Sequence, residues 1–256
     1  MQTTGVVTSY IDVAQVTLYA FWLFFAGLIF YLRREDKREG YPLDPDRSSG
    51  ARGTFFPPMP EPKTFLRTHG GTYTAPGGNP DDREIRAVPV APWPGAPLQP
   101  TGNPMADGVG PAAYALREDV PDTTIDGLDR IVPLRLDSDY SIEPRDPDPR
   151  GMQVVGGDRQ VAGTVTDVWI DRTEPQIKFL EVELAGGQTV LAPMTMARVN
   201  SWRGQIKVRS IMSHQFADVP KLKSPDRVTK LEEDKITGYY AGGTLYAEPS
   251  RLWPAL

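Results

Sequence analysis

The sequence predicts a single transmembrane α-helix followed by a mainly-β cytoplasmic domain, a small antiparallel barrel accompanied by a C-terminal helix. Three observations predict it. An uncharged 20-residue run with a basic flank lies near the N-terminus, a proline-dense middle forbids long helices, and the C-terminal half carries short apolar runs separated by turn signals.

From Val13 to Leu32 the chain reads VAQVTLYAFWLFFAGLIFYL, 20 residues without a charge. At about 1.5 Å of rise per residue, one helix of this length crosses the roughly 30 Å hydrocarbon core of a bilayer. Asp12 is the only charged residue before it and no small-x-small cleavage pattern follows, so the run reads as a retained span and not as a signal peptide. RREDKRE comes next, where Arg33, Arg34, Lys37 and Arg38 load one flank with positive charge. The positive-inside rule then places residues 1–12 in the periplasm and everything after Leu32 in the cytoplasm. Trp22, Tyr31 and Tyr41 are candidate aromatic anchors at the membrane interface, and the four basic residues are placed to meet lipid phosphates. Gln15 and Thr17, polar side chains inside the span, favour a neighbouring membrane helix as their partner.

Residues 33–121 are expected to be an extended Pro/Gly-rich segment: 16 of the 26 prolines fall between Tyr41 and Pro121, in stretches such as APGGNPDD and VAPWPGAPLQPTGNP. Composition alone describes a linker. Phe55, Phe56, Phe65, Tyr73 and Trp93 argue instead for a segment ordered on the surface of another protein, with Thr72-Tyr73-Thr74 as its one plausible short strand.

Residues 122–256 form the barrel domain. IVPLRL, VAGTVTDVWID, KFLEVELAGG, TVLAPM and QIKVRSI read as strands, and in FLEVEL the alternation puts Leu180, Val182 and Leu184 on one face and Glu181 and Glu183 on the other. Asp171-Arg172-Thr173-Glu174-Pro175 and Gly186-Gly187 read as hairpin connections. Ser224-Pro225-Asp226 resembles a capped helix start with Pro at the first helical position, which predicts a helix over about 226–242, ending near Gly242-Gly243. Glu232, Glu233 and Asp234 fall early enough in it to favour the helix dipole.

Several function classes are disfavoured by composition. There is no cysteine, and the only histidines are His69 and His214, so thiolate and multi-histidine metal sites lack ligands. A net charge of -5 and a pI near 5.2 speak against nucleic acid as a partner. No glycine-rich phosphate loop and no nucleophile-elbow motif is present. The acidic residues are more informative: Asp122, Asp126 and Asp129 cluster in one loop-rich stretch, and Asp171 and Glu174 share one hairpin turn. Mutual repulsion and partial burial raise carboxylate pKa values, so such clusters are candidates for passing protons.

Long ordered stretches of the chain resemble the H subunit family of purple-bacterial photosynthetic reaction centres. They are DVAQVTLYAFWLFFAGLIFYLRREDKREGYPL at 12–43, PKTF at 62–65, PTGNPMADGVGPAAYA at 100–115, IVPLR at 131–135 and DPDPRGM at 146–152. AGTVTDVWID at 162–171, FLEVEL at 179–184, FADVP at 216–220 and EEDKITGYYAGGTLYA at 232–247 complete them. The resemblance implies one membrane helix and a cytoplasmic domain built on a PRC-type barrel. It also implies a non-catalytic, cofactor-free cap, in the intracytoplasmic (chromatophore) inner membrane, on the L and M subunits. Those subunits hold bacteriochlorophyll, bacteriopheophytin, quinones, carotenoid and non-haem iron. Further implied neighbours are the light-harvesting 1 antenna, a cytochrome subunit reached through the complex, and membrane lipids.

By the same resemblance, a glutamate in the hairpin after the VWID strand assists proton delivery to the secondary quinone. Here it is Glu174, and an aspartate just before it matches Asp171. Some members place surface histidines where protons are taken up, in the stretch matching Asp126-Gly127-Leu128; this chain has an aspartate and a leucine there. Asp122, Asp126 and Asp129 are the expected carboxylate substitutes, collecting protons by electrostatic focusing. Two other readings are weaker. A binding module is one, since PRC-type barrels also resemble domains of ribosome-maturation factors. A membrane-tethered enzyme is the other, and it lacks a catalytic constellation.

Overall fold

In the computed structural model, which describes residues 12–40, 56–68, 70–77, 81, 83–93 and 95–252, helix α1 runs Val13–Glu35. Asp12 caps its start: the Asp12 carboxylate accepts from the Gln15 amide at 2.8 Å while the Gln15 side chain accepts from the Asp12 amide at 3.3 Å. The Thr17 hydroxyl donates to the Val13 carbonyl at 2.8 Å. The Gln15 side-chain oxygen and the Thr17 hydroxyl are thus bonded within their own helix. No residue of α1 is buried, and its apolar side chains, Leu23 and Phe24 among them, face outward.

The chain divides into two compact units, Met1–Asp82 with Trp93–Gly95, and Arg83–Pro92 with Ala96–Leu256. In the first, α1 is followed by the antiparallel pair β1 (Lys63–Leu66) and β2 (Thr72–Ala75), with Phe65 opposite Tyr73. Residues 1–11, Tyr41, Phe55 and His69 lie outside the described residues.

The second unit opens with a short antiparallel pair, β3 (Ala87–Pro89) and β4 (Leu98–Pro100), and a single-turn helix α2 (Pro104–Asp107). Its body is a seven-stranded sheet made of β5 (Ile131–Pro133), β6 (Gln153–Val155), β7 (Val161–Asp171), β8 (Gln176–Leu184), β9 (Thr189–Pro193), β10 (Ala197–Asn200) and β11 (Gln205–Val208). The order is β10-β11-β6-β7-β8-β9, with β5 paired to β7 beside β6. All pairs are antiparallel except β11 with β6, a departure from the all-antiparallel sheet expected. Register shifts at Val165/Asp167 and Trp169/Ile170 mark bulges in the long β7–β8 pair, and bulges bend a sheet toward a barrel.

Leu180 and Val182 are buried and Glu183 is exposed, as alternation requires. Phe179 is buried as well, because both faces of β8 are covered there. The core joins Trp169, Phe179, Leu180 and Ile206 of the sheet to Phe216, Ile236 and Tyr240 beneath it.

Helix α3 runs Lys230–Tyr246, later at both ends than the sequence had indicated. Its cap is Thr229, in a capping box with Glu232, whereas Ser224-Pro225-Asp226 forms a separate turn bridged from Ser224 to Arg227. The Gly242-Gly243 pair does not end the helix. A Cβ at Gly242 would lie 2.5 Å from the Ala112 Cβ and one at Gly243 would lie 2.5 Å from the Ser210 carbonyl, so these glycines exist for close packing.

Candidate functional site

The β7–β8 hairpin is fixed by an ion pair whose carboxylate is buried and whose guanidinium is half-buried. Arg130 directly precedes β5, whose Ile131 is in register with Asp171 at the end of β7, so the Arg130 side chain meets the Asp171 carboxylate. Arg130 Nε lies 3.0 and 2.9 Å from its two oxygens and Nη2 lies 2.8 Å from Oδ2. The Asp171 side chain is 0% exposed, and its Oδ1 also accepts from the Thr173 and Glu174 amides at 2.9 and 3.3 Å. Burial pushes the Asp171 carboxyl up, but the hydrogen bonds from Arg130 and the two amides outweigh it and hold the group below its ordinary value.

The remaining sequence-picked acids are interleaved with arginines. Arg130 Nη1 reaches Asp122 at 3.2 Å, and Arg227 binds Asp129 at 2.6 and 3.1 Å. Arg172 binds Asp137 at 2.6 Å and donates to the Asp129 carbonyl at 2.9 Å. Asp126 is exposed in the turn that the Thr124 and Leu128 backbones close. Glu174 is exposed at the hairpin tip, where it accepts from Gln176 Nε2 at 3.1 Å. The mutual repulsion expected of neighbouring carboxylates is therefore not the governing feature. Arg130, Arg172 and Arg227 stand beside or near these acids in the sequence, and the fold brings them together as counter-ions.

One carboxyl shows the opposite behaviour. Glu233, on the first turn of α3, has its pKa raised by burial, and the positive charges of Lys178, Arg117 and Arg130 draw it back only in part. Sequence reading had given it to the helix dipole; no periodic signal marks it as half-buried. Further along the sheet, Arg135 gathers Asp167 at 3.1 Å, Glu181 at 2.8 Å and Asp226 at 2.7 Å, and Glu181 also accepts from Trp169 Nε1 at 2.8 Å.

With this geometry in view, residues 5–136 match the family described as photosynthetic reaction centre, H-chain N-terminal region, and residues 143–215 match the PRC-barrel domain. The first match alone covers more than half of the 256 residues. The chain belongs to the reaction-centre H-chain family. The H chain is a non-catalytic subunit of the photosynthetic reaction centre, made of one apolar N-terminal helix, a PRC-barrel domain and a C-terminal helix. Among the described residues, no group of three or more His, Cys, Asp or Glu side chains is arranged to hold a metal ion.

In the H chain, α1 is long and apolar enough to cross a membrane, and Trp22 and Tyr31 are exposed on it. Its basic flank is not uniformly free. Lys37 is buried and donates to the Pro57 carbonyl; Arg38 is held by Glu35 at 2.8 Å and donates to the Glu61 and Ala75 carbonyls at 2.6 and 2.8 Å. These two residues tie down the segment that follows the helix. Arg33 remains exposed beside Asp36, and Arg34 is half-buried.

Proposed function

We propose that this H chain caps the quinone side of the L and M core, shields it from water and delivers protons toward the secondary quinone through the β7–β8 hairpin. The observation that carries the reading is the Arg130–Asp171 lock. It fixes the hairpin and presents Glu174, an exposed carboxyl, at the tip. Its exposure leaves the Glu174 carboxyl free to exchange protons with groups of a partner subunit seated on the tip.

The roles then divide by chemistry. Asp171, buried and arginine-paired, stays ionised and acts as a positioning residue. Glu174 carries the proton. Asp122, Asp126 and Asp129 supply negative potential that gathers protons toward the surface. The pigments, quinones, carotenoid and iron belong to L and M, and the exposed α1 packs among lipids, those subunits and the light-harvesting 1 antenna. The cytoplasmic placement of the barrel follows from the basic flank of α1.

The test is flash-induced electron and proton transfer in membranes carrying Glu174→Gln. The expected result is a slowed proton-coupled second electron transfer with the first charge separation intact. An unchanged second transfer in a fully assembled complex removes Glu174 from the path. A D126N/D129N double variant with unchanged proton uptake removes the surface carboxylates.

A further inference from the structure

At the other end of β7 from the hairpin lies a second feature that this reading leaves unused. Strand β6 pairs Val155 with Val161, the first residue of β7, so roughly 30 Å of strand separates this end from Asp171. A concavity of about 660 Å³ opens here, lined by the Gly156-Gly157 turn and by Arg159, Arg203, Lys207, Arg209 and Arg251. Five cations and no carboxylate line it, in a chain whose net charge is -5.

Local geometry explains why the charges converge. Gln205, Lys207 and Arg209 alternate on one side of β11 and its extension, while Ile206 and Val208 are buried on the other. Arg203 stands at the tip of the β10–β11 hairpin. Arg159 has φ +64°, a left-handed conformation uncommon for a residue with a side chain. The nearby acids are engaged elsewhere: the Asp158 carboxylate accepts from the Ser213 amide at 3.2 Å and the Ser213 hydroxyl at 2.7 Å, and Glu248 pairs with Arg251 at 3.5 Å.

Two further observations favour an anion as the ligand of this concavity. Arg159, Arg203, Lys207 and Arg209 have no ion pair with a carboxylate among the described residues, and Arg251 uses its guanidinium on the Ser210, Gly243 and Arg209 carbonyls and on Glu248. Arg198 lies directly opposite Lys207 in the β10–β11 register. Like charges directly opposite destabilise a strand pair, and a bound anion removes that repulsion.

We infer that this concavity is a binding site for a phosphoryl-bearing anion. Arg159, Arg203, Lys207 and Arg209 supply charge-assisted hydrogen bonds, and Arg251, already anchored, supplies fixed positive potential. The Gly156 and Gly157 amides are bonded to the Gln160 and Ile211 carbonyls, so recognition falls to the side chains. The phosphoryl group is either free in solution or carried on a lipid headgroup.

The test is calorimetric titration of inorganic pyrophosphate into the detergent-solubilised complex containing the full chain, at low ionic strength. A second arm uses mixed micelles of phosphatidylglycerol, with phosphatidylcholine as control. The expected result is saturable binding to wild type, weakened roughly tenfold or more in Lys207→Ala/Arg209→Ala and unchanged in Lys221→Ala, an exposed lysine elsewhere. Pyrophosphate binding identifies a soluble ligand, and phosphatidylglycerol binding with the same variant pattern identifies a lipid one. Equal weakening by Lys221→Ala, or no binding of either probe, overturns the inference. Unfolding of the double variant is excluded by its circular dichroism, and a pyrophosphate-induced rise in the wild-type melting temperature gives an independent readout.

Discussion

Arg130 grips both oxygens of Asp171 within 3.0 Å, and the Asp171 side chain is completely buried. Removing the Asp171 charge takes away the principal counter-ion of Arg130, which keeps Asp122 at 3.2 Å and partial solvent contact. Asp171→Asn is therefore expected to destabilise the barrel by about 2–3 kcal/mol, less than a fully buried pair because Arg130 keeps some solvent contact. Chemical denaturation of the purified protein measures it.

The same pair sets an acid limit. The folded-state pKa of Asp171 lies below its ordinary 3.8, as do those of Asp148, held by Arg150, and Asp158, held by Ser213. Each contributes stability that is fully present above the unfolded value and lost as pH falls through the folded one. Melting temperature is expected to fall on acidification below about pH 4, with a shallower slope in Asp171→Asn. An unchanged slope in the variant removes Asp171 as a source of the limit.

Glu233 has the reverse linkage. Its folded pKa is raised above the ordinary 4.5, so stability is fully present below that value and is lost as pH rises through the folded one. Glu233→Gln removes the cost of burying a charge. The variant is expected to melt higher than wild type at pH 8 and at the same temperature at pH 4. A variant that melts lower at pH 8 shows that the carboxylate is stabilised by Lys178, Arg117 and Arg130 more than burial disfavours it.

How far the sequence could be read follows from where each interaction is encoded. The span of α1, the ends of β7 and the Thr72–Thr74 strand lie in local pattern, so hydrophobic periodicity and turn residues located them. The start of α3 failed because two segments carry capping signals. Ser224-Pro225 is the stronger local one, but Glu232 satisfies both the Thr229 and Lys223 amides and settles the cap at Thr229. At the site, Asp171 and Glu174 were legible as neighbours in one turn. The partnership of Asp171 with Arg130 spans 41 positions and depends on β5–β7 register, which no local pattern records.

Gly242 tests the packing of α3. A Cβ there meets the Ala112 Cβ at 2.5 Å and the Ala112 Cα at 3.2 Å, so helix and loop must separate. Gly242→Ala is expected to cost about 1–3 kcal/mol despite the better helix propensity of alanine, because overpacking exceeds that gain. Gly186→Ala, at a turn position with nothing within 4 Å, is the control and is expected to be near neutral.

Arg135 gathers three acids further along the sheet from Asp171. Its Nη1 serves Asp167 and Glu181, whose side chains are only 8% and 13% exposed, and its Nη2 serves Asp226, which is 47% exposed. Arg135→Ala leaves two nearly buried carboxylates repelling each other, for an expected loss of about 3 kcal/mol. Arg135→Lys keeps the charge but has no planar fork with which to serve separate acceptors, so it is expected to recover only part of the loss. Adding Glu181→Gln to Arg135→Ala should recover stability, since one of the stranded charges is gone and the glutamine oxygen can still accept from Trp169 Nε1. Strict additivity of the two substitutions in denaturation experiments contradicts a shared network; a double variant more stable than Arg135→Ala alone supports it.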